Sequence, residues 1–131
     1  MKLSSPKKVF DLDNFLPPDG ENSYDMSFSR GDLTLDIYYD SDDSKGEQKK
    51  RVRFVKARHF FKSPFPGISF FDCPDDRDLS LLNSIVEYEN SELLDKDSEF
   101  PGSSNYKHYR VFLHSVGAAV YVVAKSIEVS D

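Results

Sequence analysis

Two apolar runs near the C-terminus decide what class of fold is open to this chain. Tyr109-Arg110-Val111-Phe112-Leu113-His114 and Val120-Tyr121-Val122-Val123-Ala124 consist mainly of β-branched and aromatic residues. Ser115-Val116-Gly117 separates them, and glycine reaches the positive φ that a tight connection requires. The reading is an antiparallel hairpin, and with it a β-dominated domain. At 131 residues the chain fits a single domain over 1–131, with a core that needs no disulfide. Aromatic residues make up 14% of it, as Phe and Tyr without Trp, and these suit pleated, half-buried surfaces.

The rest of the chain supplies the other strands. Residues 1–23 read as a loop-like arm, because Leu16-Pro17-Pro18-Asp19-Gly20 is a turn signal and its prolines exclude a central strand. Tyr24, Met26 and Phe28 alternate on one face. Arg30-Gly31-Asp32 spells an adhesion tripeptide, but between two alternating segments it reads as a turn. Leu33, Leu35, Ile37 and Tyr39 then alternate with polar or tyrosine positions, as a half-buried strand does. Asp40 to Gln48 is a polar loop, and a basic strand follows over 49–62. In that strand the apolar phase slips between Phe54 and Val55, which predicts a bulge or a bend. Ile68 to Phe71 reads as a short apolar strand. Residues 78–95 fit either a helical stripe or a strand near 84–89; the strand is preferred, followed by one helical turn capped by Asn90 or Ser91, with Glu92 in its first turn. The expected product is a single antiparallel sheet or small sandwich of six or seven strands with at most one short helix. Its core is expected to hold Leu33, Leu35, Ile37, Val111, Leu113, Val120 and Val122.

Charge comes in blocks. Residues 1–44 carry 4 basic and 10 acidic side chains, 45–71 carry 8 and 1, 72–100 carry 2 and 10, and 101–131 carry 3 and 2. The bland explanation is that strands of opposite charge pair across a sheet, which is stabilising. The alternative is an acidic face left over for a basic partner.

Motifs for catalysis are missing. The six glycines are isolated, so no phosphate-cradling loop exists, and no Gly-x-Ser-x-Gly elbow occurs. His108 and His114 sit six residues apart in one strand, about 20 Å at the rise of a strand, too far to share a metal. His59 falls on an apolar face, where a hydrogen-bonded core histidine is the ordinary outcome. Cys73, the single cysteine, precedes a proline and has no basic neighbour closer than Arg77, so it reads as an inert thiol in a reducing compartment. Asp40 to Gly46 resembles the start of a calcium loop, but Val52 stands where an EF-hand closes with an acid. No cofactor, metal or enzymatic activity is expected. The N-terminus lacks an apolar stretch of signal-peptide length, and a cytoplasmic location is expected. Basic residues interleaved with aromatics over 49–62 raise a second reading, binding of nucleic acid or an anionic ligand through that strand. The acidic balance, with a sequence pI near 5.0, stands against it.

Val86-Glu87-Tyr88-Glu89-Asn90-Ser91-Glu92-Leu93-Leu94, followed by Lys107-His108-Tyr109-Arg110-Val111-Phe112, resembles a pattern in small bacterial immunity-type proteins, which block polymorphic or contact-dependent toxins. The resemblance covers the last third of the chain. It implies a single-domain cytosolic binder without catalysis whose partner is a basic toxin domain. An acidic β-domain suits that role, because its carboxylates stand in for phosphates in a basic groove. The larger acidic block then supplies the expected binding face: Glu87, Tyr88, Glu89 and Glu92, with Asp75, Asp76 and Asp78 at its rim. Tyr88 is expected to be the aromatic anchor. The acidic loop bearing Asp40, Asp42 and Asp43 is the other place to look.

Overall fold

The computed structural model describes residues 1–41, 46–67, 69–97, 99 and 105–131. It is a mainly β protein with two antiparallel sheets. Nine strands appear among the described residues, in chain order β1 (Leu3–Asp11), β2 (Ser23–Ser29), β3 (Asp32–Asp40), β4 (Glu47–Val55), β5 (His59–Pro64), β6 (Ser84–Ser91), β7 (Lys107–Leu113), β8 (Ala118–Ala124) and β9 (Ser126–Ser130). One short helix, α1 (Glu92–Asp97), follows β6. The five-stranded sheet runs β1-β6-β7-β8-β5 and the four-stranded sheet runs β2-β3-β4-β9.

The apolar runs that mark the C-terminal hairpin become β7 and β8, paired from Lys107–Ala124 to Leu113–Ala118. They read as continuous rather than alternating because both faces of their sheet are covered. On the inner face Val111, Leu113, Val120 and Val122 pack against Leu33, Leu35, Ile37, Val52 and Phe54 of the other sheet. On the outer face Phe112, Ala119, Tyr121 and Val123 join Val86, Tyr88, Leu3, Phe71 and Leu93 in a second cluster. All seven expected core residues therefore lie between the sheets.

The slip after Phe54 is a sheet crossing. β4 ends at Val55, Lys56 takes φ 53, and the chain re-emerges as β5 in the five-stranded sheet. Asp32 Oδ1 accepts the Lys56 N–H at 2.9 Å and holds the bend. β8 runs into β9 across the same corner, where Lys125 N–H donates to Val55 O at 2.9 Å and Arg58 N–H to Val123 O at 2.7 Å. Strands that switch sheets in this way make the corners of a sandwich. Arg30-Gly31 is the two-residue turn between β2 and β3, with both φ positive, as a tight hairpin requires.

Three expectations fail. The arm over 1–23 is not loop-like throughout: Leu3–Asp11 is β1, antiparallel to β6. Its sequence hides this because it is an edge strand, with Pro6, three polar outward positions and a register shift between Lys8 and Phe10. The short strand over 68–71 is not seen in the described part; Phe71 is buried in an irregular segment tied to β1 by Leu3 N–H to Asp72 O at 2.9 Å. The strand count exceeds six or seven because β1 and β9 were not foreseen and the basic segment is two strands.

Candidate partner-binding face

The sequence places seven residues on one binding face, and the structure divides them. Tyr88 lies in the middle of β6 and points to the outer face of the five-stranded sheet, which the segment 71–82 covers. Its side chain is 1% exposed. The phenol donates to Asp76 Oδ2 at 2.7 Å. Arg110, the neighbour on β7, is fully buried; its Nη2 donates to Asp76 Oδ1 at 3.3 Å and its Nη1 to Leu81 O at 3.2 Å. The guanidinium lies 3.8 Å over the ring of Phe112. Burial pushes the Asp76 carboxyl up against the opposing pull of Arg110 and Tyr88. The same burial, with the Asp76 charge added, drives the Tyr88 phenol far above its ordinary range. This is a clamp that fastens the 71–82 segment to the sheet. Tyr88 is not an exposed anchor, because folding places its ring in the interior, and Asp76, half-buried, is tied down by Tyr88 and Arg110.

Glu87 and Glu89 project to the side of β6 opposite Tyr88, since successive residues of a strand alternate. Glu87 meets Lys107 Nζ at 3.7 Å, and Glu89 is exposed. Asp78 begins a short turn, accepting from Ser80 N at 3.0 Å and Ser80 Oγ at 2.8 Å, and these bonds hold its carboxyl below the usual range. Glu92 and Asp75 come to the edge strand: Glu92 Oε2 accepts the Lys2 N–H at 2.9 Å and Asp75 Oδ2 accepts the Ser5 N–H at 3.4 Å. Between them β1 and the start of α1 flank an open groove of about 490 Å³, lined by Asp72, Pro74, Asn90, Glu92 and Asp95 together with Lys2 and Leu3. The Lys2 N–H bond lowers the Glu92 carboxyl, so it stays ionised at neutral pH. Asp95 stands beside Glu92 because the two are three residues apart in α1, and Asp72 comes there through Leu3 N–H, which donates to Asp72 O at 2.9 Å. Asp42 and Asp43 of the alternative acidic loop lie outside the described residues.

The basic strand divides between two elements, and Lys50, Arg51, Arg53 and Arg58 pair with carboxylates of the fold. Arg51 on β4 donates through Nε to Asp36 Oδ1 at 2.8 Å and through Nη2 to Asp36 Oδ2 at 3.1 Å. Arg53 meets Glu128 and, at 3.4 Å, Asp32. Lys50 pairs with Asp131, and Arg58 with Asp97 at 3.2 Å. The opposite-charge pairing of β3 with β4 is the bland explanation of the charge blocks, realised across an antiparallel register that sets Asp36 opposite Arg51.

The side chains with catalytic chemistry are likewise engaged. Ser91 Oγ accepts the Leu94 N–H at 3.2 Å, which makes it the cap of α1. The same oxygen stands 2.7 Å from His108 Nδ1, within hydrogen-bond distance. A serine beside a histidine is the geometry of an activated nucleophile, but both are buried and the hydroxyl is committed to the cap. His108 is fully enclosed, with Phe71, Tyr88 and Tyr121 rings around it. His59 Nε2 meets Asp97 Oδ1 at 3.1 Å, hydrogen-bonded as expected, but its side chain is 36% exposed and does not sit in the core. Burial pushes the Cys73 thiol up to about 11, so it is protonated at neutral pH. Among the described residues no three His, Cys, Asp or Glu side chains are grouped to hold a metal. No helix among them is long and apolar enough to cross a membrane. Comparison with protein-family models, with curated proteins and with solved structures finds no match.

Proposed function

We propose that this chain is a non-catalytic protein-binding module that takes a basic partner at the acidic groove beside β1, and that it acts as an immunity-type protein neutralising a basic toxin domain in the cytoplasm. One observation carries the reading. The carboxylates of Asp72, Glu92 and Asp95 border one open groove, while Lys50, Arg51 and Arg53 of β4 are paired with carboxylates of the fold. Three carboxylates against Lys2 make the groove lining net negative, in a chain of formal charge −6, and such a surface steers a basic partner and fits lysine or arginine side chains. Glu92 borders the groove, while Asp75 and Glu89 lie outside its lining. The nucleic-acid reading draws no such support, because Arg51 and Arg53 would have to leave Asp36, Asp32 and Glu128 to reach a phosphate.

The test uses the product encoded next to this gene, if it ends in a basic domain. Co-expression should restore growth that the domain alone arrests. Asp72→Lys with Asp95→Lys should slow association and flatten its dependence on salt. Unchanged rates in the double variant overturn the groove. A neighbouring basic domain that is not bound overturns the toxin-neutralising role.

A further inference from the structure

The four sheet edges of this fold are not equally guarded. An edge strand offers unpaired N–H and C=O groups to any second strand, and proteins ordinarily block it with proline, lysine, bulges or brevity. β1 carries Pro6, Lys7 and Lys8, a positive φ at Ser5 and a register shift. β5 is six residues long, with Lys62 and a terminal Pro64. β9 has five residues and carries Glu128. β2 has none of these devices. Its seven residues, Ser-Tyr-Asp-Met-Ser-Phe-Ser, pair with β3 in an unbroken register from Ser23–Tyr38 to Ser29–Asp32. Its one charge is Asp25, and its other side pairs with no strand among the described residues.

The apolar surface is concentrated at the same edge. Phe28 is 52% exposed and Phe60 of β5 is 38% exposed, and their rings lie 5.3 Å apart across the seam between the sheets. Tyr24 and Met26 share the Phe28 side of the strand and are only half-buried.

We propose that β2 is a homodimer interface, pairing antiparallel with β2 of a second copy about a two-fold axis at Met26. The sequence of the strand is self-complementary in that register. Met26 faces Met26, Tyr24 faces Phe28, Asp25 faces Ser27 and Ser23 faces Ser29. Both aromatic pairs fall on the apolar side, where cross-strand aromatic pairs stabilise a sheet. The charged Asp25 meets a serine hydroxyl, a hydrogen-bond donor, so the register sets no like charges against each other. The two four-stranded sheets join into one of eight strands, and Phe28 and Phe60 pass from solvent into the joint. The acidic groove beside β1 lies at the opposite edge of the five-stranded sheet and stays open, so a dimer presents two grooves.

Sedimentation equilibrium of the whole protein over a range of concentrations tests this, with two variants at exposed Ser27. Ser27→Asp sets a carboxylate opposite Asp25 twice in the dimer and should raise the dimer dissociation constant about tenfold or more. Ser27→Lys sets an ammonium opposite the same Asp25 and should preserve or tighten the dimer. Both side chains point to solvent from the polar side of β2, so the monomer fold, followed by circular dichroism, should be unchanged. A wild-type protein that stays monomeric at every concentration overturns the proposal. A dimer that Ser27→Asp and Ser27→Lys affect equally overturns it too, since the register would then be wrong.

Discussion

Arg110 Nη2 stands 3.3 Å from Asp76 Oδ1 on the covered face of the five-stranded sheet, with the arginine side chain fully out of water and the aspartate side chain 16% exposed. The arginine is held from both sides, by Asp76 and Leu81 O on one and by the Phe112 ring on the other. Removing the carboxylate leaves a buried cation without its counter-charge. Asp76→Ala should therefore destabilise by about 3 kcal/mol, within the range for one-sided loss of a buried pair. Arg110→Met, which replaces the cation by an apolar side chain of similar length, should cost clearly less. Urea unfolding of the two variants measures the difference; equal costs would mean that the pair does not behave as a buried one.

His108 ties stability to pH. Burial, with the charge of nearby His59 adding to it, lowers the ring from 6.5 to about 4. Between these values the unfolded chain binds a proton that the folded protein refuses, so stability is highest above pH 6.5 and falls as pH drops towards 4. The limiting slope is about 1.4 kcal/mol per pH unit, and the whole window is worth about 3 kcal/mol at most. His108→Gln keeps a polar partner for the Ser91 hydroxyl and removes the titration. Its unfolding free energy should fall less steeply than that of the wild type between pH 6.5 and 4.

What was legible in the sequence follows from where each strand sits. β3 alternates because one of its faces is solvated, and Leu33, Leu35 and Ile37 could be assigned to the core from that period alone. β7 and β8 were legible for the opposite reason, since a sheet covered on both faces leaves an unbroken apolar run. Ser91 and Glu92 announced the start of α1 through capping chemistry, and the structure has Ser91 Oγ on the Leu94 N–H. β1 was not legible, because it is an edge with proline and lysine and only its partner β6 makes it a strand. The face was misjudged for one reason: parity along β6 puts Tyr88 opposite to Glu87 and Glu89, and the sequence does not say that the outer face is roofed. Arg110 carried a signal that could have been read. A lone cation inside a run of Tyr, Val, Phe and Leu must find a buried carboxylate, and the structure has Asp76 in that place.

The loop after the first short turn is fixed by Gly20. It takes φ 79, and a Cβ built there would lie 2.2 Å from Ser115 Oγ. That hydroxyl donates to Asp19 O at 2.9 Å, and Glu21 next in the chain accepts from Ser115 N–H at 2.7 Å and Val116 N–H at 3.1 Å. Gly20→Ala thus meets strain in the backbone and displaces Ser115 from the β7–β8 turn. A loss of about 1–3 kcal/mol is expected. Gly20→Ala combined with Ser115→Ala, which removes the clashing oxygen, should recover part of it. Denaturant midpoints of the single and double variants decide, and full additivity would show that the clash is not what costs.

Tyr88 separates a structural role from a binding one. Its phenol gives Asp76 Oδ2 a hydrogen bond at 2.7 Å, so Tyr88→Phe keeps the packing and deletes one charge-assisted bond. The loss should be about 1.5–3 kcal/mol. With a side chain 1% exposed, however, the ring has no surface to offer a partner. Affinity for a basic domain bound at the groove should be unchanged in Tyr88→Phe at a temperature where the variant remains folded, while Asp72→Lys with Asp95→Lys weakens it without a comparable loss of stability. Titration calorimetry beside thermal unfolding gives both readouts. If Tyr88→Phe lowered affinity and left stability intact, the partner would be reaching the covered face, and the 71–82 segment would have to lift from the sheet for it to do so.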